Sequence, residues 1–421
     1  MSWKKEIEEL RKREAFAEEM GGEEKVSRQH NRGKLDPRER LKRLVDPGSF
    51  REIGKIAGRG EYDENDELVH ATPSNLIFGR ANIDNRPVVA SADDFTVRGG
   101  AADAALHRKF VQCEKMAHEM GIPMIRMIDG TGGGGSVKTL EMTGFTYVPA
   151  VPSWEDIMKN QETVPVVALA LGPTAGMGAA RTVASHYSVM VKGLSQLFAA
   201  GPVVAQAIGE DVDKEGLGGT DIHTRNGVVD EEVASEDEAF AVARRFLSYL
   251  PSTVDSRADR WTNHDPVERR DEKLLSIVPR DDKQVYSMRA IMESVFDKGS
   301  IFEMGKRWGR AAITAFARLD GWPVAVLAND PSFLGGSWEA LTSQKVKRFA
   351  ELAEQFHLPV VHLVDNPGFM VGVEAERTGT IRYGVEAMNA VYKATVPWAL
   401  SLIHISEPTR QYCQSRMPSS A

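Results

Sequence analysis

The feature that most restricts how this chain can fold is that it contains itself twice. Arg86-Pro87-Val88 answers Trp322-Pro323-Val324, Gly99-Gly100 answers Gly335-Gly336, Ile122-Pro123 answers Leu358-Pro359, and Asp129 answers Asp365, each pair standing 236 positions apart. Composition alone does not hold Pro, Gly and Asp in register without a gap from Arg86 to Asp129, so the chain is read as two copies of one structural unit. Upstream, Asp46-Pro47-Gly48-Ser49 answers Asp297-Lys298-Gly299-Ser300 at an offset of 251. The first copy therefore carries 15 additional residues between Ser49 and Arg86.

Within each copy, strand and helix patterns alternate. Ile83 to Ala92 and Ala315 to Ala328 read as paired strands about an Asn or Gly turn, and Ala104 to Met120 and Ser337 to Phe356 as amphipathic helices. Pro123 to Ile128 and Pro359 to Val364 read as buried strands that end in an acidic residue and a glycine-containing loop. This is an α/β pattern with helices over a largely parallel sheet. The polar stretch Thr253 to Asp282 is the natural boundary between copies. We expect a first domain over 1–262, a linker over 263–282 and a second domain over 283–399.

With 421 residues, 42% of them hydrophobic, there is material for two cores. A formal charge of -8 provides no broad basic field for nucleic acid. No window is apolar enough to span a membrane, and the charged N-terminal segment Lys4 to Glu24 reads as a solvated helix rather than a signal peptide. Cys113 and Cys413 are the two cysteines, so neither a disulfide framework nor a cysteine-rich zinc site is available, and a cytoplasmic location is expected.

Two glycine-rich loops carry the chemistry. Asp129-Gly130-Thr131-Gly132-Gly133-Gly134-Gly135-Ser136 follows a buried strand, where glycines let the backbone approach a ligand and aim N–H groups at an anion. Gly172-Pro173-Thr174-Ala175-Gly176-Met177-Gly178-Ala179-Ala180 leads from a second strand, Val164 to Leu171, into a helix whose first amides are unpaired. Two such loops meeting at one point form an oxyanion hole suited to a thioester enolate. The alternatives are plain turns and close helix packing. A dinucleotide site fits poorly: Arg181 stands where the fingerprint needs a small residue, and Lys192-Gly193-Leu194-Ser195 stands where an acidic ribose ligand is expected. No ATP loop, biotin-attachment lysine or metal spacing is visible, and His107, His118 and His357 read as surface or structural residues.

These loops, in this order and in duplicate, resemble the acyl-CoA carboxylase carboxyltransferase (β) subunit family, which includes the propionyl-CoA and methylcrotonyl-CoA carboxylase β subunits. The resemblance covers residues 20 to 399. Its landmarks are Gly33-Lys34-Leu35 with Arg38-Glu39-Arg40, Asp46-Pro47-Gly48-Ser49-Phe50, Asp94-Phe95-Thr96, Gly172-Pro173-Thr174-Ala175-Gly176, Ile277-Val278-Pro279 and Asp365-Asn366-Pro367-Gly368-Phe369. It implies tandem crotonase-like (ClpP/crotonase) ββα-superhelix units. In the family's chemistry CO2 passes from carboxybiotin, held on a partner carrier protein, to the α-carbon of a short acyl-CoA through a thioester enolate, and biotin itself takes the α-proton. By resemblance Gly132, Gly133, Gly176 and Met177 would stabilise the enolate in the first copy, and Asn366, Pro367, Gly368 and Phe369 would meet the biotin ureido oxygen in the second. It also implies a biotin carboxylase and biotin carboxyl carrier as partners, and a homo-oligomer, a hexamer in this family, with sites formed between copies on different subunits. Gly135-Ser136-Val137-Lys138 and Met177 depart from the family's usual loops, which leaves acyl preference open. A biotin-dependent acyl-CoA decarboxylase subunit and a non-catalytic CoA-binding assembly subunit are the alternative readings.

Thr395-Val396-Pro397 answers Thr163-Val164-Pro165, yet the strand and glycine loop due next are replaced by Leu400-Ser401-Leu402-Ile403-His404-Ile405-Ser406-Glu407-Pro408-Thr409-Arg410, which resembles a translated sequencing adapter. The tail 400–421 is accordingly expected to be non-native and the second copy truncated. On that expectation the chain binds acyl-CoA but does not carboxylate it.

Overall fold

The computed structural model describes residues 2–100, 107–130, 144, 153–281 and 284–403. It separates into two units. The first takes the chain up to Thr224 with Val228–Ser248 and Ser252–Asp255; the second takes Arg225–Gly227, Tyr249–Pro251 and the chain from Ser256 onward.

The first unit opens with α1 (Lys4–Glu19), which buries only Ala17 and is solvated as its charge pattern predicts. It stops before Glu24 because the chain turns at Gly22, whose φ is 92°. Two helices follow, α2 (Glu23–His30) and α3 (Pro37–Leu44), the latter started by proline and by an Asp36/Glu39 capping box.

The strands are β1 (Arg51–Glu52), β2 (Gly58–Tyr62), β3 (Leu68–Pro73), β4 (Leu76–Ile83), β5 (Arg86–Asp93), β6 (Met124–Ile128), β7 (Val166–Ala170), β8 (Pro173–Ala175), β9 (Tyr187–Val191), β10 (Gln196–Phe198) and β11 (Glu231–Val233). Seven of them form one sheet, ordered β1-β4-β5-β6-β7-β9-β11. It is antiparallel through β5 and parallel beyond. Every residue of β6, β7 and β9 is buried, the pattern of strands covered on both faces. Helices α4 (His107–Met120), α5 (Trp154–Thr163), α6 (Met177–Val183) and α7 (Glu236–Leu247) lie along this part of the chain. The apolar side of α4 packs Cys113, Met116 and Ala117 against Leu76, Phe78, Val89 and Met124 of the sheet.

The second unit contains α8 (Met288–Val295), β12 (Phe302–Met304), β13 (Ala312–Leu319), β14 (Trp322–Asn329), α9 (Ala340–Gln355), β15 (Val360–Val364), α10 (Thr380–Lys393) and β16 (Trp398–Leu402). Its sheet runs β12-β13-β14-β15-β16, antiparallel and then parallel, the same order and sense as β1-β4-β5-β6-β7. The repeat is thus structural. The 15 additional residues of the first copy are the β2–β3 hairpin, which has no counterpart among the described residues of the second. The stretch 263–281 belongs to the second unit, where the Asp265 carboxylate accepts from the Lys298 N–H at 3.1 Å. Strand β16 pairs with β15 through Leu402, so residue 399 falls inside a strand; residues 404–421 lie outside the described ones.

One device shapes both hairpins. Asp84 and Asn85, like Asp320 and Gly321, have positive φ, giving the doubly left-handed turn that matches strand twist. In the first unit the Asp46 carboxylate accepts from the Asp84 and Asn85 N–H groups at 3.0 and 2.8 Å. In the second, Asp297 accepts from Asp320 and Gly321 at 3.0 and 2.7 Å. The sequence pattern extended the first strand pair only back to Ile83, whereas β4 begins at Leu76. Replacing Asp297 by alanine is expected to destabilise the second unit by about 2 kcal/mol, because two charge-assisted bonds are lost. Urea unfolding measures this, and Asp297→Asn should cost less because one oxygen remains.

Candidate functional site

The site residues leave the sheet at the ends of three adjacent strands. After β5, the Asp94 carboxylate accepts from the Thr96 N–H at 2.8 Å and from its hydroxyl at 2.6 Å, closing a tight turn. Asp330 and Ser332 repeat it after β14, with the N–H bond at 3.0 Å. Gly100 follows at φ 67°, and a Cβ there would lie 2.5 Å from the Asp129 carbonyl oxygen. At Gly336, φ is 79° and the same atom would lie 2.7 Å from the Asp365 carbonyl oxygen. Glycine is required at both because one strand's loop rests on the end of the next.

Beyond β7, the chain passes through Gly172 and β8 into α6. Gly176 has φ 59° and ψ -119°, a region open essentially to glycine alone. Its N–H donates to the Phe198 carbonyl at 3.0 Å, so it acts by shaping the turn rather than by offering its amide. The Met177 N–H, first of the helix, meets no acceptor among the described residues. The Ala175 N–H reaches the Gly130 carbonyl at 3.4 Å, which places the start of one glycine loop beside the other. Gly132 and Gly133 lie outside the described residues.

A buried network aims α6. Arg126 on β6 donates to the Ala184 and Arg181 carbonyls at 2.6 and 3.2 Å, closing the helix C-terminus, and grips Glu114 at 2.8 and 2.7 Å. Arg181 reaches both oxygens of Asp93 at 3.2 Å. Burial raises the Asp93 pKa even against that cation, and it holds Asp94 above the usual carboxylate range too. Arg181 is therefore a fixing residue of this helix, which accounts for a bulky side chain where a dinucleotide turn has none.

Beneath the loops lies a second network, whose roles sequence reasoning missed. Arg40, with 0% exposure, donates to Asp129 Oδ2 at 2.8 Å, to the Leu171 carbonyl at 3.0 Å, and to Glu236 through Nε at 2.7 Å and Nη2 at 2.9 Å. Burial opposes its charge, but Asp129 and Glu236 outweigh that and raise its pKa. Lys34 lies 2.6 Å from Asp129 Oδ1. A Cβ on Gly172 would overlap the Asp129 carboxylate, so only glycine passes this point. The landmark residues Gly33-Lys34-Leu35 and Arg38-Glu39-Arg40 were visible in the chain; that they converge on Asp129 was not.

Lys34 also lines a cavity of about 370 Å³ together with Lys25, Arg28, Arg32, Arg98 and Phe95, and among the described residues no carboxylate lines it. The spacing of Lys25 and Arg28, three apart on α2, was the available signal for one basic helix face. His30, Asp36 and Glu39 form one compact group with metal-ligand chemistry, but Asp36 and Glu39 are already engaged in capping α3. His118 bonds Asp156 at 2.9 Å, and His357 sits in a left-handed turn after α9.

In the second unit, Asp365 accepts from the Tyr286 hydroxyl at 2.7 Å. The loop after it is tied to Trp338, whose N–H donates to the Gly368 carbonyl at 3.1 Å and whose carbonyl accepts from Met370 at 2.9 Å. Gly368 has φ 129°, and its N–H is held by Asn366 Oδ1 at 2.8 Å. Pro367 has no N–H. The Phe369 amide meets no acceptor among the described residues, and its ring packs edge-on to Trp338 at 6.2 Å.

Comparison with known proteins agrees with this geometry. A family model described as carboxyl transferase domain matches residues 28–406. Methylmalonyl-CoA decarboxylase subunit alpha of Veillonella parvula is 32% identical, over 93% of this chain and 76% of the relative. The propionyl-CoA carboxylase carboxyltransferase subunit of Haloferax mediterranei is 31% identical, over 94% of this chain and 76% of the relative. Among solved structures, transcarboxylase 12S with methylmalonyl-coenzyme A and methylmalonic acid bound superposes with a TM-score of 0.84 at 30% identity, covering 95% of this chain and 78% of that one. Both units thus share the crotonase-like α/β fold of these enzymes. Duplicated sheet, paired glycine turns and sequence likeness together mean that the chain belongs to the carboxyl transferase domain family, the carboxyltransferase subunits of biotin-dependent acyl-CoA carboxylases and decarboxylases.

Proposed function

We propose that the first unit binds a short acyl-CoA and stabilises its thioester enolate, and that the second receives carboxybiotin from a carrier protein. The observation that carries this is the Met177 amide, without an acceptor among the described residues at the start of α6, in the same unit as a cavity whose charged lining, among the described residues, is cationic. An enolate oxygen needs N–H donors fixed in advance, and a coenzyme A thioester brings phosphates that need cations. Gly132 and Gly133 would add donors, with Gly176 setting the turn.

The Asn366–Phe369 loop fits an acceptor oxygen: Gly368 bends it, Asn366 and Trp338 brace it, and the Phe369 amide is available. Biotin, when bound, supplies the carboxyl group and takes the α-proton in exchange. This chain's residues then have to hold the two oxygens and need no acid-base pair. Because the same donors serve the enolate in either direction, the geometry suits decarboxylation as well as carboxylation.

We further propose assembly with copies of itself, as in the transcarboxylase 12S hexamer. Support comes from apolar side chains left on the second unit's surface, Val371 at 82%, Ile381 at 67% and Tyr392 at 79% exposure. A biotin carboxylase and biotin carrier complete the partners. With Cys113 free and buried, a reducing, cytoplasmic setting fits.

Carboxyl transfer between an acyl-CoA and biotin, measured on the full chain with its carrier, tests the proposal: transfer bears out both halves and overturns the expectation of a non-native tail, binding without transfer removes the carboxybiotin half, and failure to bind acyl-CoA overturns the whole. Replacing Arg28 and Arg32 with glutamate should raise KM for the acyl-CoA at least about tenfold, since charged contacts to a bound phosphate are lost. Gly176→Ala should lower kcat by roughly a hundredfold, the order lost with one oxyanion donor, because alanine resists the backbone angles that aim Met177.

A further inference from the structure

Lys34 faces two ways. Its ammonium lies 2.6 Å from Asp129 Oδ1 and 2.5 Å from Oδ2, and Lys34 is also a lining residue of the cationic cavity, as is the Phe95 ring under its ammonium. It is 6% exposed and stands 4.8 Å above the centre of the Phe95 ring. Burial pulls its pKa below the usual lysine range although Asp129 opposes the shift.

What Lys34 holds is the junction of two strands. Asp129 ends β6, and through Arg40 it is joined to the Leu171 carbonyl at the end of β7, with distances of 2.8 and 3.0 Å. Gly172 leaves no slack there, because a Cβ on it would come 2.6 Å from Lys34 Nζ. Any shift of the ammonium toward the cavity therefore acts on both strand ends at once. An ammonium has three donors; Asp129 engages two, leaving one that an anion in the cavity can take.

We propose that Lys34 is a positioning residue: occupation of the cationic cavity by the phosphates of a nucleotide-bearing thioester draws on Lys34, and Lys34 transmits this through Asp129 and Arg40 to the ends of β6 and β7. The nucleotide end of the substrate then raises kcat and not only affinity, which is how binding energy remote from the reacting atoms assists a chemical step. This rests on the reading of the first unit as the acyl-CoA side.

The test compares a carboxylated acyl-CoA with the matching acyl-pantetheine as carboxyl donors to biotin, using the full chain with its carrier, in wild type and in Lys34→Met. The wild type should show a kcat roughly tenfold higher with the coenzyme A thioester. In Lys34→Met that ratio should fall to near one, while adenosine 3′,5′-bisphosphate still binds through Lys25, Arg28 and Arg32. An unchanged kcat ratio in the variant, or a wild-type advantage confined to KM, overturns the coupling. Should Lys34→Met fail to fold, Asp129→Asn keeps the shape and weakens the link, and the same collapse of the ratio is expected. Wild-type protein that turns over neither thioester overturns the coupling, and if it also fails to bind the bisphosphate the acyl-CoA reading falls with it.

Discussion

The first unit depends on one buried cation. Arg40 joins the side chain that ends β6, the carbonyl that ends β7 and the first turn of α7, and it does so fully buried. A buried ion pair is a weak source of net stability, because desolvation cancels much of the attraction, but losing one partner leaves a stranded charge that costs about 3–5 kcal/mol. What the arrangement provides is geometry. A planar guanidinium fixes three acceptors in directions that a lysine could not reproduce. The turn through Gly172 that starts from the end of β7 inherits that precision.

The two units show how one backbone plan serves two environments. Each has an aspartate that secures its hairpin turn, a capped turn after the next strand, and a glycine packed on the carbonyl of the following aspartate. They differ at that aspartate: Asp129 is held by Lys34 and Arg40, and Asp365 accepts from the Tyr286 hydroxyl.

The glycines mark where side chains are excluded, for two separate reasons. At Gly176 the backbone angles forbid anything larger, while at Gly172 the angles are ordinary and the Asp129 carboxylate fills the space a Cβ would take. A glycine-rich stretch in a sequence does not distinguish these cases, although substitution affects a turn in the first and a buried ion pair in the second.

The sequence by itself determined the duplication, the order of strands and helices, and the two glycine loops, because each is a short-range pattern: a constant offset, a run of apolar residues, a turn that only Gly or Asn accepts. It also brought Lys34 and Arg40 into view as landmarks. Only the tertiary structure decided what they do, since Lys34, Arg40, Asp129, Leu171 and Glu236 are brought together by sheet order over separations of up to 202 positions. It likewise decided that Gly176 shapes a turn, that the Met177 amide meets no acceptor among the described residues, and that Arg28 and Lys34 share a cavity. Hydrogen-bond partners depend on which strand lies beside which, and no local pattern of residues carries that information.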